Sequence, residues 1–220
     1  MKVLLLKCPS PHPPWTRVKP FFPLGLASIA AVLEANGVRV KLVDALALHL
    51  DWKDISSIVT KYKPDVVGAT CFTQDVPNVA HLAETVKSID SSCTVIAGGP
   101  HASLCPEDLL SRTLVDIAVI GEGDHTILDL VNTLENRGDL SKIQGIAIKG
   151  KNGKIIKTPP RPPIKDLDSL PFPSRYDLPP QLYSVFGKPY PVTMICSRGC
   201  PYNCIFCSVP KINGDRKSVV

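Results

Sequence analysis

The sequence has no hydrophobic run that approaches the length of a membrane span. The amino terminus offers only a short apolar stretch before Lys7 interrupts it, too short for the core of a secretory signal. These absences argue against a membrane-spanning or secreted protein, and with it against a disulfide framework. Eight cysteines in such a chain indicate a reducing compartment, so we expect a cytoplasmic protein whose thiolates are available to metal.

Aromatic and charged residues are also scarce, at 6% and 20% of the chain. The formal net charge is +5, but the basic residues are scattered and not interleaved with aromatic ones, so we expect no nucleic-acid partner. The 44% hydrophobic content is that of a globular protein, and 220 residues suffice for one domain and part of a second.

Five short apolar segments alternate with helical patterns in the first part of the chain. Parallel strands need crossover helices and bury both faces, so this alternation predicts a flavodoxin-like, doubly wound α/β domain from residue 1 to about 140. The predicted strands are residues 2–6, 38–43, 66–70, 94–97 and 117–120.

The helices between these strands begin and end at recognisable capping residues. Asp51 and Asp75 are expected to cap the starts of their helices, and Gly37 is expected to provide a left-handed end. The predicted helices are residues 24–36, 51–62, 75–88, 106–112 and 125–136.

Residues 141–189 are predicted to form a β-hairpin and a linker. The hairpin pairs residues 146–149 with 154–156 through a type I′ turn at Asn152-Gly153. Residues 158–189 contain many prolines, which predicts an extended linker draped over a surface. Residues 190–220 are a third segment, in which a strand at residues 192–195 leads into a cysteine-rich loop.

That loop contains Cys200, Cys204 and Cys207 at a three-then-two spacing in a turn-forming Gly-Cys-Pro-Tyr-Asn context. Three thiolates so close together can hold an iron–sulfur cluster and leave one iron open. The alternative is a zinc site of four thiolates that includes Cys196, although structural zinc sites usually consist of two separated cysteine pairs.

Ligands of open parallel sheets bind beyond the carboxyl ends of the strands. Two of these ends are rich in glycine, Gly98-Gly99-Pro100-His101 and Gly121-Glu122-Gly123-Asp124. The glycines either let the backbone approach a large flat ligand or only make tight turns.

Together these motifs resemble a known family. The cysteine spacing, with Phe206 directly before the last cysteine, resembles that of the radical S-adenosylmethionine (radical SAM) superfamily. The glycine-rich strand ends and Phe22-Pro23-Leu24-Gly25-Leu26 resemble the cobalamin-binding domain of B12-dependent radical SAM enzymes. The resemblance covers essentially the whole chain and identifies residues 190–220 as the start of a radical SAM β/α barrel. It implies a cobalamin across the carboxyl edge of the sheet, nearest to Thr73, Gly98, Gly99, Gly121 and Glu122.

The resemblance also implies the chemistry. Cys200, Cys204 and Cys207 would hold a [4Fe–4S] cluster whose open iron binds S-adenosylmethionine, with Phe206 or Tyr202 packed nearby. An electron from the cluster would cleave S-adenosylmethionine to a 5′-deoxyadenosyl radical, and the cobalamin could deliver a methyl group to an unactivated carbon. The expected function is the amino-terminal portion of a methyltransferase; cyclisation and oxidation are alternatives within the same family.

The sequence departs from other B12 domains because it lacks an Asp-x-His-x-x-Gly motif, which supplies a histidine to cobalt. We therefore expect His101 to be a polar loop residue rather than a cobalt ligand. Cys196 is expected to be a small buried residue rather than a fourth cluster ligand.

Only the first elements of the barrel precede Val220, whereas a β/α barrel needs upward of about 200 residues. We therefore expect the chain to be inactive alone and a partner chain to supply the rest of the barrel. The substrate is expected to be a small or lipid-like molecule. The alternatives are a corrinoid-binding module without catalysis and a zinc-stabilised α/β binding protein.

Overall fold

A computed structural model describes residues 1–9, 21–150, 152–185, 188–189, 193–214 and 217–218. Within these residues a seven-stranded sheet has the order β2-β1-β3-β4-β5-β6-β7. Its strands are β1 Lys2–Lys7, β2 Arg39–Asp44, β3 Val66–Thr70, β4 Thr94–Gly98, β5 Ile117–Val119, β6 Ile146–Lys149 and β7 Ile155–Lys157. The first five strands are parallel, and their order 2-1-3-4-5 is that of flavodoxin-like folds, which confirms the predicted fold class.

Seven helices accompany the strands in the described part of the chain. They are α1 Leu24–Ala35, α2 Trp52–Tyr62, α3 Val76–Ile89, α4 Pro100–Leu104, α5 Pro106–Arg112, α6 Asp124–Glu135 and α7 Val209–Asn213. Two hydrophobic cores lie on opposite faces of the sheet, one beneath α1 and α6 and the other beneath α2, α3 and α5. Helices therefore cover both faces.

The interior strand β1, which lies between β2 and β3, shows why its apolar sequence does not alternate. Leu4 and Leu6 belong to the core beneath α2 and α3, while Val3 and Leu5 belong to the core beneath α1. All four side chains are buried, since successive residues of a strand point to opposite faces.

Two of the three predicted helix caps are confirmed. The Asp51 carboxylate accepts hydrogen bonds from the Lys53 and Asp54 amides, and Gly37 follows α1 with φ of 75°. Asp75 does lie at the predicted N-cap position of α3, but its side chain does not cap the helix: the carboxylate accepts a hydrogen bond from the Phe72 amide, within a 3₁₀ turn at Thr73–Asp75. Helix α4 was not predicted.

The predicted hairpin is confirmed as β6 and β7, which extend the same sheet in antiparallel orientation beyond β5. The predicted type I′ turn is wrong: Gly153 has φ of 75°, but Asn152 does not have the positive φ that such a turn requires. Hydrogen bonds from Gly153 N to Gly150 O and from Gly150 N to Lys154 O close a longer loop, whose residue 151 lies outside the described residues.

The proline-rich linker packs on the sheet face that carries α1. Leu178 and Tyr183 are fully buried there, and the Ser174 amide donates to the Ala27 carbonyl. The Asp177 carboxylate accepts a hydrogen bond of 2.7 Å from the Leu42 amide of edge strand β2. The linker ends in a two-stranded ribbon of β8 Ser184–Val185 and β9 Lys188–Pro189.

Residues 193–214 and 217–218, which we call the cysteine segment, pack against the carboxyl side of the sheet. A two-stranded ribbon pairs β10 Ser197–Arg198 with β11 Lys217–Ser218, and α7 lies against α4. The strand predicted at residues 192–195 is wrong where it can be checked: residues 193–195 are not in a strand, and residue 192 lies outside the described residues. Domain boundaries at 140 and 189, and a radical SAM barrel after 190, stay predictions.

No helix within the described ranges combines the length and the apolar character needed to cross a lipid bilayer.

Candidate functional site

A large cavity of about 2040 Å³ opens at the carboxyl edge of the parallel sheet. Its floor contains the last residues of β3, β4 and β5, and its walls come from the whole length of α1, the linker, and the cysteine segment. A cavity at this position matches the rule for open α/β sheets. It is about twice the volume of a drug-sized pocket and therefore suits a large ligand.

Four of the predicted ligand-contact residues line this cavity: Gly98, Gly99, Gly121 and Glu122. The three glycines differ in their backbone. Gly99 and Gly121 have φ of 96° and 79°, so their turns require glycine whatever the ligand. Gly98 lacks a positive φ, and a Cβ atom there would meet only the Cβ of Val119, at 3.8 Å. Neither the backbone geometry nor a neighbouring protein atom therefore requires glycine at position 98.

Thr73, the fifth predicted contact, lies beside the cavity and not among its lining residues. Its hydroxyl is 3.2 Å from Nδ1 of His101. The prediction that His101 is a loop residue is wrong: it lies in α4 and is buried, with Nε2 3.5 Å from the Asp108 carboxylate. Both ring nitrogens of His101 therefore face protein groups.

A buried charge cluster at the cavity wall was missed in the sequence. The Arg198 guanidinium donates to both oxygens of Asp124, at 2.6 and 3.1 Å, and to Oε1 of Glu122 at 3.2 Å. Ser28 of α1 accepts from Arg198 at 3.2 Å and donates to Asp124 at 2.8 Å. We call this set of four side chains the Arg198 cluster. It connects the residue two positions before Cys200 to the turn after β5.

The charges within the Arg198 cluster stabilise one another. Burial alone would raise the pKa of Asp124, but the hydrogen bonds and charge of Arg198, with the Ser28 hydroxyl, hold that pKa below its usual value. Burial would lower the pKa of Arg198, and the two carboxylates outweigh it and raise that pKa. Asp124 and Arg198 are therefore both charged at neutral pH.

The candidate cluster ligands lie on a loop at the protein surface. Cys204 is exposed, Cys200 and Cys207 are half-buried, and a hydrogen bond from Cys207 N to Cys204 O forms a turn between them. Phe206 and Tyr202 are exposed at 89% and 70% and do not line the cavity. Among the residues that the structure describes, no group of three or more His, Cys, Asp or Glu is arranged to hold a metal ion.

Cys196 is exposed and lines the cavity, so the expectation that it is buried is wrong. It lies just before β10, in a stretch without strand structure.

Two further thiols lie at the carboxyl ends of β1 and β3. Cys8 and Cys71 are both buried. Burial, with the nearby negative charge of Asp75, raises the pKa of Cys71 to about 12 and that of Cys8 higher still. Both therefore remain protonated thiols at neutral pH.

Comparison with known proteins identifies the family. The model of the B12 binding domain matches residues 16–131, which is more than half of the chain. The chain belongs to the B12-binding domain family. This family explains the cavity position, because the matched region contains the strand ends after β3, β4 and β5.

Relatives of this B12-binding domain are longer proteins. An uncharacterised methyltransferase of Pyrococcus horikoshii is 40% identical over 187 residues, covering 84% of this chain and 40% of its own length. The anaerobic magnesium-protoporphyrin IX monomethyl ester cyclase of Rubrivivax gelatinosus is 30% identical over 192 residues, covering 84% of this chain and 34% of its own. The chain thus spans less than half the length of these relatives.

A solved structure has the same fold. The cobalamin-dependent S-adenosylmethionine radical enzyme OxsB with aqua-cobalamin bound superposes with a TM-score of 0.84 at 18% identity, covering 99% of this chain and 30% of its own. The recognition of this chain as a B12-binding-domain protein related to cobalamin-dependent radical SAM enzymes is confirmed.

Proposed function

We propose that this chain binds cobalamin in the cavity at the carboxyl edge of the sheet. The observation that carries the proposal is the cavity itself, which is large and bordered by Gly98, Gly99, Gly121 and Glu122. The open space above Gly98 supports it further, because a side chain there would project into the cavity rather than into the protein. Thr73 is proposed as a contact at the rim.

We further propose that Cys200, Cys204 and Cys207 hold a [4Fe–4S] cluster that binds S-adenosylmethionine. The donor set fits, since all three thiols are free, unlike Cys8 and Cys71 they are not deeply buried, and they lie within eight residues. Their present spacing on an open loop is consistent with ligands that converge when metal binds. Exposed Phe206 would then pack against the cluster or S-adenosylmethionine.

The proposed reaction is methyl transfer to an unactivated carbon, in an enzyme of which this chain is the amino-terminal portion. When bound, the cluster would supply an electron for cleavage of S-adenosylmethionine to a 5′-deoxyadenosyl radical, and the cobalamin would supply the methyl group. The residues of this chain would bind and orient: the glycine-rich turns would hold the corrinoid, and the linker residues that line the same cavity would exclude water.

The proposal also covers the cellular compartment, the substrate and the remainder of the barrel. Free cysteines favour a reducing cytoplasm. The substrate is a small or lipid-like molecule, and the remaining barrel that would enclose it comes from further polypeptide or a partner chain.

Titration with hydroxocobalamin tests the cavity. The full chain should bind it, and Gly98→Leu should weaken binding by about tenfold or more, because its side chain occupies the ligand's space. Gly98→Ala should have a smaller effect, and Ser91→Leu, on an exposed turn elsewhere, should bind like the unaltered chain. Equal affinity of Gly98→Leu and the unaltered chain would place the corrinoid elsewhere.

Anaerobic reconstitution with iron and sulfide tests the cysteine loop. A [4Fe–4S] absorption should form, with an electron paramagnetic resonance (EPR) signal after reduction by dithionite, and both should be lost when Cys200, Cys204 and Cys207 are replaced by alanine. Replacement of the exposed Cys105 is the matched control and should leave the signal intact. Stoichiometric zinc without cluster uptake would instead support a four-thiolate site that includes Cys196.

A further inference from the structure

We propose that Arg198 is a positioning residue that fixes the cysteine loop over the corrinoid cavity by binding the two carboxylates of the turn after β5. The contacts of the Arg198 cluster carry the claim that Arg198 fixes the loop. The claim that this places a metal cluster near a corrinoid rests on the proposed function. It assigns a role to a side chain that is not itself a ligand.

The first argument is the position of Arg198 in the chain. Gly199, with φ of 83°, is the only residue between Arg198 and Cys200, so an anchored guanidinium leaves little freedom to the first proposed ligand. Arg198 also belongs to β10, which pairs with β11. The loop is therefore held at its start, whereas exposed Cys204 at its centre is not.

The second argument is the position of the two carboxylates. Glu122 lines the cavity as a proposed corrinoid contact, and Asp124 is the first residue of α6. Oε2 of Glu122 accepts a hydrogen bond of 2.8 Å from the Ile164 amide, so the turn is also fixed from the linker side. One arginine thus joins the wall that would contact the corrinoid to the loop that would hold the cluster.

The third argument is the charge and shape of the contact. The Arg198, Glu122 and Asp124 side chains are only 18%, 6% and 5% exposed, and one guanidinium faces two carboxylates. The contact to Asp124 uses two nitrogens, an arrangement that the single ammonium of lysine cannot reproduce. We therefore expect the cysteine loop to be displaced in Arg198→Lys as it is in Arg198→Gln.

Hydrogen exchange in the full chain without cofactors tests the geometry. Amides of residues 193–214 should exchange about tenfold faster in Arg198→Gln, because a charge-assisted anchor is removed. Arg161→Gln is the matched control, since Arg161 also pairs with one carboxylate, Asp129, and belongs neither to the Arg198 cluster nor to the cavity lining. Unchanged exchange in Arg198→Gln would overturn the inference.

EPR of the loaded protein tests the purpose. With cob(II)alamin and a reduced cluster both present, the unaltered chain should show magnetic broadening between them. That broadening should fall in Arg198→Gln and Arg198→Lys at equal cofactor content. Equal broadening in all three proteins would overturn the positioning role.

If Arg198→Gln does not fold, two other variants test the same contacts. Asp124→Asn and Glu122→Gln each weaken one contact while keeping Arg198, and should speed exchange of the same amides. If the unaltered chain takes up neither cofactor, the proposed function is wrong, while the exchange experiment still decides whether Arg198 anchors the loop.

Discussion

His101 has both ring nitrogens turned toward protein groups, Thr73 on one side and Asp108 on the other. Because the ring is buried, with Nδ1 hydrogen-bonded to Thr73 and Nε2 directed at Asp108 without a hydrogen bond, we predict that His101→Gln leaves the absorption spectrum of bound cob(III)alamin unchanged. The substitution should lower the free energy of unfolding by about 1–2 kcal/mol, since it removes a buried polar contact. A shifted cobalt spectrum at unchanged occupancy would show that His101 is an axial ligand.

Asp124 gives the protein a predictable response to acid. Its pKa in the folded state lies below the ordinary value, so the charged carboxylate stabilises the fold above the unfolded pKa of about 3.9. This contribution is lost as the pH falls through the lower, folded pKa. Denaturant unfolding between pH 6 and 3 should therefore show a shallower pH dependence for Asp124→Asn than for the unaltered chain; parallel curves would contradict the assignment.

The residue-scale chemistry was only partly accessible from the sequence. The glycines at the carboxyl edge were predicted. The sequence did not show that Gly99 and Gly121 are needed for a positive φ while Gly98 only borders open space, because φ angles cannot be read from it. The Arg198 cluster was missed because its partners are 74 to 170 residues apart. An arginine two positions before a cysteine motif was the only local sign of it.

At the scale of elements, the linker protects an edge of the sheet. Strand β2 lies at that edge, and Asp177 accepts the hydrogen bond of the Leu42 amide. We predict that Asp177→Ala lowers the free energy of unfolding by about 1 kcal/mol and speeds hydrogen exchange at Leu42. Asp166→Ala is the control, because the Asp166 carboxylate accepts a hydrogen bond from the Asp168 amide, within the linker and away from Leu42. Slowed or unchanged exchange at Leu42 would mean that the linker does not protect this edge.

Elements with strong local patterns were predicted and those that depend on distant partners were not. The apolar runs of β1 to β5 and the Asp51 cap specify their structure locally. The five-residue α4 is too short for a helical period to appear. The apolar run at residues 192–195 resembles a strand, but a strand forms only beside a partner, and residues 193–195 pair with no strand in the described part of the chain.

At the scale of the whole molecule, the cysteine loop is open to solvent. Ile205 and Phe206 are fully or almost fully exposed beside Cys204 and Cys207. We therefore predict that a cluster reconstituted on this chain bleaches within minutes in air, and that incubation with S-adenosylmethionine and a strong reductant gives no multiple turnovers to 5′-deoxyadenosine. Chromatographic measurement of 5′-deoxyadenosine checks this, with the triple cysteine variant as the blank. Sustained turnover by this chain alone would refute the prediction.

The burial of Leu178 and Tyr183 determines how short a stable expression fragment of this chain can be. Both side chains fill the core beneath α1, and the Tyr183 hydroxyl reaches the buried Asp44 carboxylate at 3.3 Å. An expression fragment that stopped after the hairpin at residue 157 would uncover that core and leave apolar side chains of α1 in water. A fragment that keeps this core covered must therefore extend at least to Tyr183. Any fusion protein that contains the sheet should also contain the linker up to that residue.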